Sequence, residues 1–319
     1  MIRRPPRSTQ SRSSAASDVY KRQGNGCAYF DIEELKSTPK SNNEFAQALS
    51  ESYLEFALYE MNEMHDEMDA SYFAKKGINA FERPEQFSKI DVLILCLPDA
   101  NTVQHVLFDP KKGFTQYLKK GTIIIDVSTT EYEVTLDINN NLGKIGLHFL
   151  DAPVSGMSAG AKDASLSMMV GGDPTLFRQL KGALLKMASK IIHMGPVGTG
   201  QLTKLVNQLL FNINMAGLAE ILPMAVKLGL DPEKVTEIIN SDTGRSYASE
   251  FFLPNIMKGE FTKGYPMEAA YKDLISGAKI SSNYKIPSPV LAAATTSYQK
   301  ALLEGHGDKD KGGMLSLIH

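Results

Sequence analysis

The sequence has 319 residues, 43% of them hydrophobic and 22% charged, with a formal net charge of −2. This is globular composition with room for two domains, and the near-neutral balance excludes the strong basic field of a nucleic-acid or anionic-membrane binder. Two cysteines, Cys27 and Cys96, cannot build a disulfide framework, and six scattered histidines without an HExxH pair give no metal site.

Residues 1–23 are rich in Arg and Ser, with one acid, Asp18. That is transit-peptide composition broken by Pro5 and Pro6; it also matches a translated adaptor, as does the terminal LSLIH. The expectation is a non-native or targeting-like tail over 1–23 and a second tail over 306–319, with localisation unassigned. Residues 24–72 are acidic and read as a divergent or unrelated segment with no opening hydrophobic strand. Within it, Phe45, Leu49, Tyr53, Phe56, Tyr59 and Met64 stand at helical spacing.

From residue 73 the pattern becomes regular. A short strand is expected near 78–81, and a helix starts near Pro84, which suits a first helical position. The continuous apolar run VLILCLP (92–98) predicts a strand buried on both faces of a parallel sheet. A helix over 101–119 follows, with a turn at Pro110–Gly113; then come a strand over 122–128, a helix over 130–143, and strands over 147–155, 165–172 and 189–195. Asp173 caps and Pro174 opens a helix between the last two. Strands alternating with helices predict a doubly wound, Rossmann-like sheet over 73–196, incomplete at its N-terminus, with ligands beyond the carboxyl ends of the strands. After residue 198 only helical periods remain, near 199–228, 231, 247–258, 266–283 and 287–303, so an all-α domain is expected over 197–305 with a long first helix. That helix is apolar but carries Lys204, Asn207, Gln208, Asn212, Asn214 and Glu220. Such groups are costly in lipid, which argues for a helix buried between domains and against a membrane partner.

Two segments carry chemistry. In DAPVSGMSAGAKDASLSMMVGG (151–172) a buried strand ends at Ser155–Gly156. A hydroxyl with close-approaching backbone N–H groups makes a carboxylate cradle, to which a helix N-terminus would add its dipole; a plain strand–turn–helix junction is the alternative. In GPVGTGQLTKLVNQLLFNINMAG (195–217), Gly198 and Gly200 give a flexible start to the helix, and Lys204, Asn207 and Gln208 share one face while Leu205, Val206, Leu209 and Leu210 pack the others. A lysine here suits proton transfer, because its pKa moves readily on burial; the alternative is a packed stem with its head in water.

Together these segments resemble the 3-hydroxyisobutyrate dehydrogenase (β-hydroxyacid dehydrogenase) family over residues 73 to about 305. The resemblance rests on the 151–172 segment, on Gly198 to Gln208, and on Lys272–Asp273–Leu274, in order. Further matches are Leu97–Pro98, Asp126–Val127–Ser128–Thr129 and Thr243–Gly244–Arg245–Ser246. It implies an NAD- or NADP-dependent dehydrogenase of a small 3-hydroxy acid, with 3-hydroxyisobutyrate as substrate. A homodimer through the long apolar helix, or a homotetramer, is the expected assembly, because one chain leaves that helix uncovered on some sides. By the same resemblance Lys204 is the catalytic acid/base, Ser155 and Gly156 hold the substrate carboxylate, and Asn207 and Gln208 position the substrate. Leu97, Pro98, Thr129 and Lys272 line the cofactor site. A reductase of glyoxylate, tartronate semialdehyde or succinic semialdehyde, and a non-catalytic binding or oligomerisation module, are the competing readings. Three departures stand out. The family's strand and GxGxxG are not found, Gly24–Asn25–Gly26 being the sole candidate; Met157 and Ala164 stand at motif glycines; and Gln208 replaces an asparagine.

Overall fold

The computed structural model describes residues 27–30, 84–262 and 264–317. The helix over 44–68, the strand near 78–81, the Gly24–Gly26 turn and the tail 1–23 lie outside them. The chain divides into two compact units, Met1–Lys204 and Leu205–His319.

The described part of the first unit is built on a sheet. Its strands are β1 (Cys27–Phe30), β2 (Val92–Leu95), β3 (Ile123–Asp126), β4 (His148–Asp151), β5 (Val154–Ser155), β6 (Leu166–Gly171) and β7 (Ala188–Gly195). Strands β2, β3 and β4 pair in parallel, and so do β6 and β7. The helices are α1 (Ala100–Phe108), α2 (Tyr132–Lys144), α3 (Met157–Lys162) and α4 (Pro174–Leu184). Alternate residues of β2 and β3 feed two cores: Val92, Ile94, Ile123 and Ile125 join Phe177 and Leu180 of α4, while Leu93, Leu95 and Ile124 join Val103 of α1 and Ile138 of α2. This two-sided burial is why the sequence reads as unbroken apolar runs rather than alternation. Asp173 caps α4 by accepting from Thr175 N at 2.7 Å and Leu176 N at 3.0 Å.

The sheet corrects three expectations. It is mixed, because β1 runs antiparallel to β2, and β6 runs antiparallel to both β4 and β5. Strand β1 lies in the segment read as lacking an opening strand; at four residues it is too short to show a period. The single strand expected over 147–155 is two strands, broken at Pro153, which has no N–H for a ladder. Its carbonyl still accepts from Met169 N at 3.0 Å. Beyond the sheet, the helix at Pro84 is a six-residue 3₁₀ turn, Pro84–Lys89, and the second half of the 101–119 helix is a turn, Phe114–Gln116, after Pro110–Gly113.

The second unit is helical. It comprises most of α5 (Thr199–Lys227), α6 (Pro232–Ser241), α7 (Tyr247–Ile256), α8 (Met267–Asn283) and α9 (Pro289–Leu303). Its core gathers Met215 and Leu222 of α5, Phe252 and Leu253 of α7, Leu274 of α8 and Tyr298 of α9. Residues 306–319, expected as a tail, instead carry a 3₁₀ turn, Lys311–Leu317, whose Met314 and Leu315 are buried in the same core. Leu315 belongs to the LSLIH end that reads as adaptor-like in the sequence. Helix α5 is long and apolar enough to cross a membrane by length and composition. Two of its polar groups are committed within the helical unit, where Asn212 is fully buried and donates to Ala270 O at 3.2 Å and Gln208 donates to Asp273 at 3.3 Å, while Asn207, Asn214 and Glu220 are exposed.

Candidate active site at the strand ends

The carboxyl ends of β3 and β4 bring two acids side by side, since Asp126 and Asp151 are register partners. Both are fully buried. Asp151 accepts from Gly198 N at 2.7 Å and from Gln201 N at 2.9 Å, so it satisfies N–H groups at the start of α5 that no helix carbonyl can reach. Burial raises its pKa, and the same two backbone N–H groups oppose the rise. Asp126 accepts from Ser128 N at 3.0 Å through Oδ1, while its Oδ2 has no hydrogen-bond partner. Burial, helped by the charge of Asp151, pushes Asp126 up to about 7 against the pull of the Ser128 and Thr130 hydroxyls.

The two glycines that precede Lys204 permit this docking. Gly198 has φ +91°, and a Cβ there would run into the Tyr132 ring. A Cβ on Gly200 would strike Met169 O and lie 2.8 Å from Asp151 Oδ2. They are sites of close approach, which corrects the expectation of a flexible helix start. Gln201 adds a side-chain bridge: its Nε2 donates to Ser128 O at 2.8 Å and its Oε1 accepts from Thr130 N at 3.1 Å. One turn into the helix stands Lys204, 9% exposed.

Ser155 ends β5 opposite Ser167 of β6 and is half-buried; Gly156 is exposed. The helix after them, α3, has six residues, so the dipole expected there is minor. Met157 and Ala164, the two residues at motif glycines, have φ +57° and +58°. They keep the left-handed conformation that a glycine would adopt without cost. On α5, Asn207 is exposed and Gln208 buried; Val206 and Leu210, expected to pack, are exposed instead. Lys272 is half-buried on α8. Leu97 is buried in the core with Leu95 and Val103, and its N–H donates to Ser128 Oγ at 2.8 Å, whereas Pro98 and Thr129 are half-buried. Asp126, Asp151, Gln201 and Asp273 were absent from the expected site. All four carried a signal, since each stands inside a matched motif, and Asp126 and Asp151 are acids on apolar strands.

The residues present fit the nicotinamide end of a dinucleotide. Pro98 and Thr129 are accessible just past the carboxyl ends of the adjacent parallel strands β2 and β3, where open α/β sheets take ligands, and the loop polar groups behind them are already satisfied. Among the described residues no group of His, Cys, Asp and Glu is arranged to hold a metal.

This is the architecture of an NAD(P)-binding dehydrogenase, a Rossmann-like sheet followed by an all-helical region. Residues 43–195 match the NAD binding domain of 6-phosphogluconate dehydrogenase, and residues 198–318 match the NAD-binding domain of NADP-dependent 3-hydroxyisobutyrate dehydrogenase. The 2-(hydroxymethyl)glutarate dehydrogenase of Eubacterium barkeri is 34% identical over 256 residues, covering 79% of this chain and 85% of that protein. The mitochondrial 3-hydroxyisobutyrate dehydrogenase of Drosophila melanogaster is 33% identical over 245 residues, 74% of this chain and 75% of the relative. Among solved structures, the Mycobacterium tuberculosis 3-hydroxyisobutyrate dehydrogenase with L-serine superposes with TM-score 0.71 at 28% identity, covering 78% of this chain and 87% of that one. The chain belongs to the 3-hydroxyisobutyrate dehydrogenase family of NAD(P)-dependent hydroxy-acid dehydrogenases.

Proposed function

We propose that the chain oxidises a small 3-hydroxy acid reversibly, with 3-hydroxyisobutyrate and methylmalonate semialdehyde as the pair, and that Lys204 moves the hydroxyl proton. The observation that carries this reading is a buried lysine one turn beyond a helix start fixed to the strand ends. Gly200 rests on Met169 and Asp151. Four helical residues set Lys204 roughly 6 Å further on, and two strand residues set Ser167, the partner of Ser155, roughly 7 Å away. This shared anchor of the lysine helix and the β5–β6 pair supports the reading that both groups serve one small substrate.

In this mechanism Ser155 Oγ and Gly156 N–H hold the substrate carboxylate, and Asn207 positions the hydroxyl-bearing carbon. Gln208, already bonded to Asp273, supports that placement from behind. Lys204 Nζ takes the hydroxyl proton as the carbonyl forms and returns it in the reverse direction, which is general base and acid catalysis at one atom. NAD or NADP, when bound, supplies the hydride acceptor. Pro98 and Thr129 would contact its nicotinamide end, with Leu97 shaping the wall from the core. The domain limits that go with this reading are 73–196 and 197–305, the second extended by the Lys311–Leu317 turn that packs in the same core. The assembly is a homodimer, or a tetramer made of two, formed through the exposed side of α5. A dicarboxylic substrate is the second reading, favoured by the similarity to a 2-(hydroxymethyl)glutarate dehydrogenase.

Lys204→Ala is expected to lower kcat by a factor on the order of 10³ or more while the melting temperature stays within a few degrees. Steady-state assays with 3-hydroxyisobutyrate, 2-(hydroxymethyl)glutarate and glyoxylate or its reduced form, each with NAD and NADP, check both the lysine and the substrate. An unchanged rate in the variant removes Lys204 from the mechanism.

A further inference from the structure

We propose that Gln201 is a positioning residue that fastens the nicotinamide-side loop to the helix carrying Lys204. The inference rests on the functional reading above. Gln201 is 2% exposed in the first turn of α5. Its side-chain amide uses its donor on Ser128 O and its acceptor on Thr130 N, at 2.8 and 3.1 Å, so it brackets Thr129 on both sides. The backbone N–H of the same residue is held by Asp151 Oδ2 at 2.9 Å. An amide engaged at both ends cannot flip or swing without losing both bonds.

The chain of contacts continues in both directions. Ser128 Oγ takes the Leu97 N–H at 2.8 Å, and the Thr130 hydroxyl pairs with that of Thr135 at 2.9 Å. On the other side Lys204 follows Gln201 by three residues, on the adjacent turn of the same helix face. One buried side chain thus joins the loop past β2, the loop past β3 and the helix that presents the proton-transfer group. Hydride transfer demands that the nicotinamide meet the hydroxyl-bearing carbon while the proton acceptor meets the oxygen on that carbon, each from a fixed direction, and small misplacements are costly. Gln201 touches neither in this arrangement and acts through Thr129 and Lys204.

The test compares wild type with Gln201→Met, which keeps length and loses both hydrogen bonds, and Gln201→Asn, one methylene shorter. In the cofactor-free protein, amide exchange at Thr130 should quicken about tenfold or more in Gln201→Met, since its buried acceptor is gone, while exchange at Ile125 inside β3 stays unchanged. With cofactor and substrate, kcat should fall about tenfold or more with KM for NAD(P) changed less, and Gln201→Asn should fall between the two. Unchanged Thr130 exchange overturns the clamp. Quickened exchange with kcat retained overturns its positioning role and leaves the assignment of Lys204 standing. If Lys204→Ala turns over like wild type, the functional reading fails while Thr130 exchange still reports on the clamp. Should Gln201→Met not fold, the same two readouts on Gln201→Asn decide.

Discussion

Asp126 is the residue in the site whose charge the fold tolerates least. It is buried, faces the Asp151 carboxyl across one strand register, and leaves Oδ2 without a hydrogen bond. Its pKa is raised from 3.8 to about 7. The sign follows directly: between these two values the unfolded chain has released the proton that the folded chain keeps, so stability is greatest below the unfolded value and is lost as pH rises through the folded one. The whole effect amounts to about 4 kcal/mol, at 1.4 kcal/mol per unit. Asp126→Asn keeps an acceptor for Ser128 N and removes the titration. Its melting temperature relative to wild type should therefore climb by several degrees from pH 5 to pH 8, as followed by scanning calorimetry. A constant offset between the two proteins across that range would show that Asp126 does not titrate there. The slope is the readout, because the buried Asn amine brings a pH-independent cost of its own. Met157 and Ala164 make a related point. Their left-handed φ values cost each residue roughly 1–2 kcal/mol, a cost that a glycine at either position would not carry.

At the scale of elements, everything in the site depends on how α5 begins. Asp151 caps it, Gln201 ties it to β3, and Gly200 lets it close on Met169 O and Asp151. Gly200→Ala places a methyl where backbone and the capping carboxylate already sit, and neither gives way cheaply. A loss of roughly 1–3 kcal/mol in urea unfolding is expected, together with a fall in kcat because Lys204 rides on the displaced helix. A variant as stable and active as wild type would mean that the close approach is not required. The sequence announced the helix and the lysine, because an apolar 3.6-residue period and matched motifs are local signals. It announced the buried strands β2 and β3 for the same reason. It did not announce β1 or β5, which are four and two residues long, nor the reversal of β6, which depends on long-range pairing. The residues that hold the site together were the hardest to see. Asp126 and Asp151 meet only through parallel registration of strands 25 residues apart in number, and Gln201 reaches Ser128 across 73. No periodicity reports such distances.

For the whole molecule, the informative surface is the outer side of α5. Leu210, Asn214, Gly217, Ile221, Met224 and Leu228 are all exposed, three and four residues apart. Leu210 is 58% exposed and Leu228 73%. Three-and-four spacing of apolar groups is the seam of a helix that packs along another helix, and a polar residue within it, here Asn214, fixes register. Monomers rarely leave a contiguous apolar stripe of this kind to water. The proposed occupant is a second copy of the same helix, antiparallel across a two-fold axis, an arrangement that would close the assembly. Light scattering at micromolar concentration should give about twice the chain mass, or about four times if two dimers associate. Ile221→Lys, in the middle of the stripe and away from Lys204, should shift the protein toward monomer, because two ammonium groups would face each other across the proposed interface. Wild type that runs as a monomer would leave the stripe without its partner and remove the dimer from the proposed function.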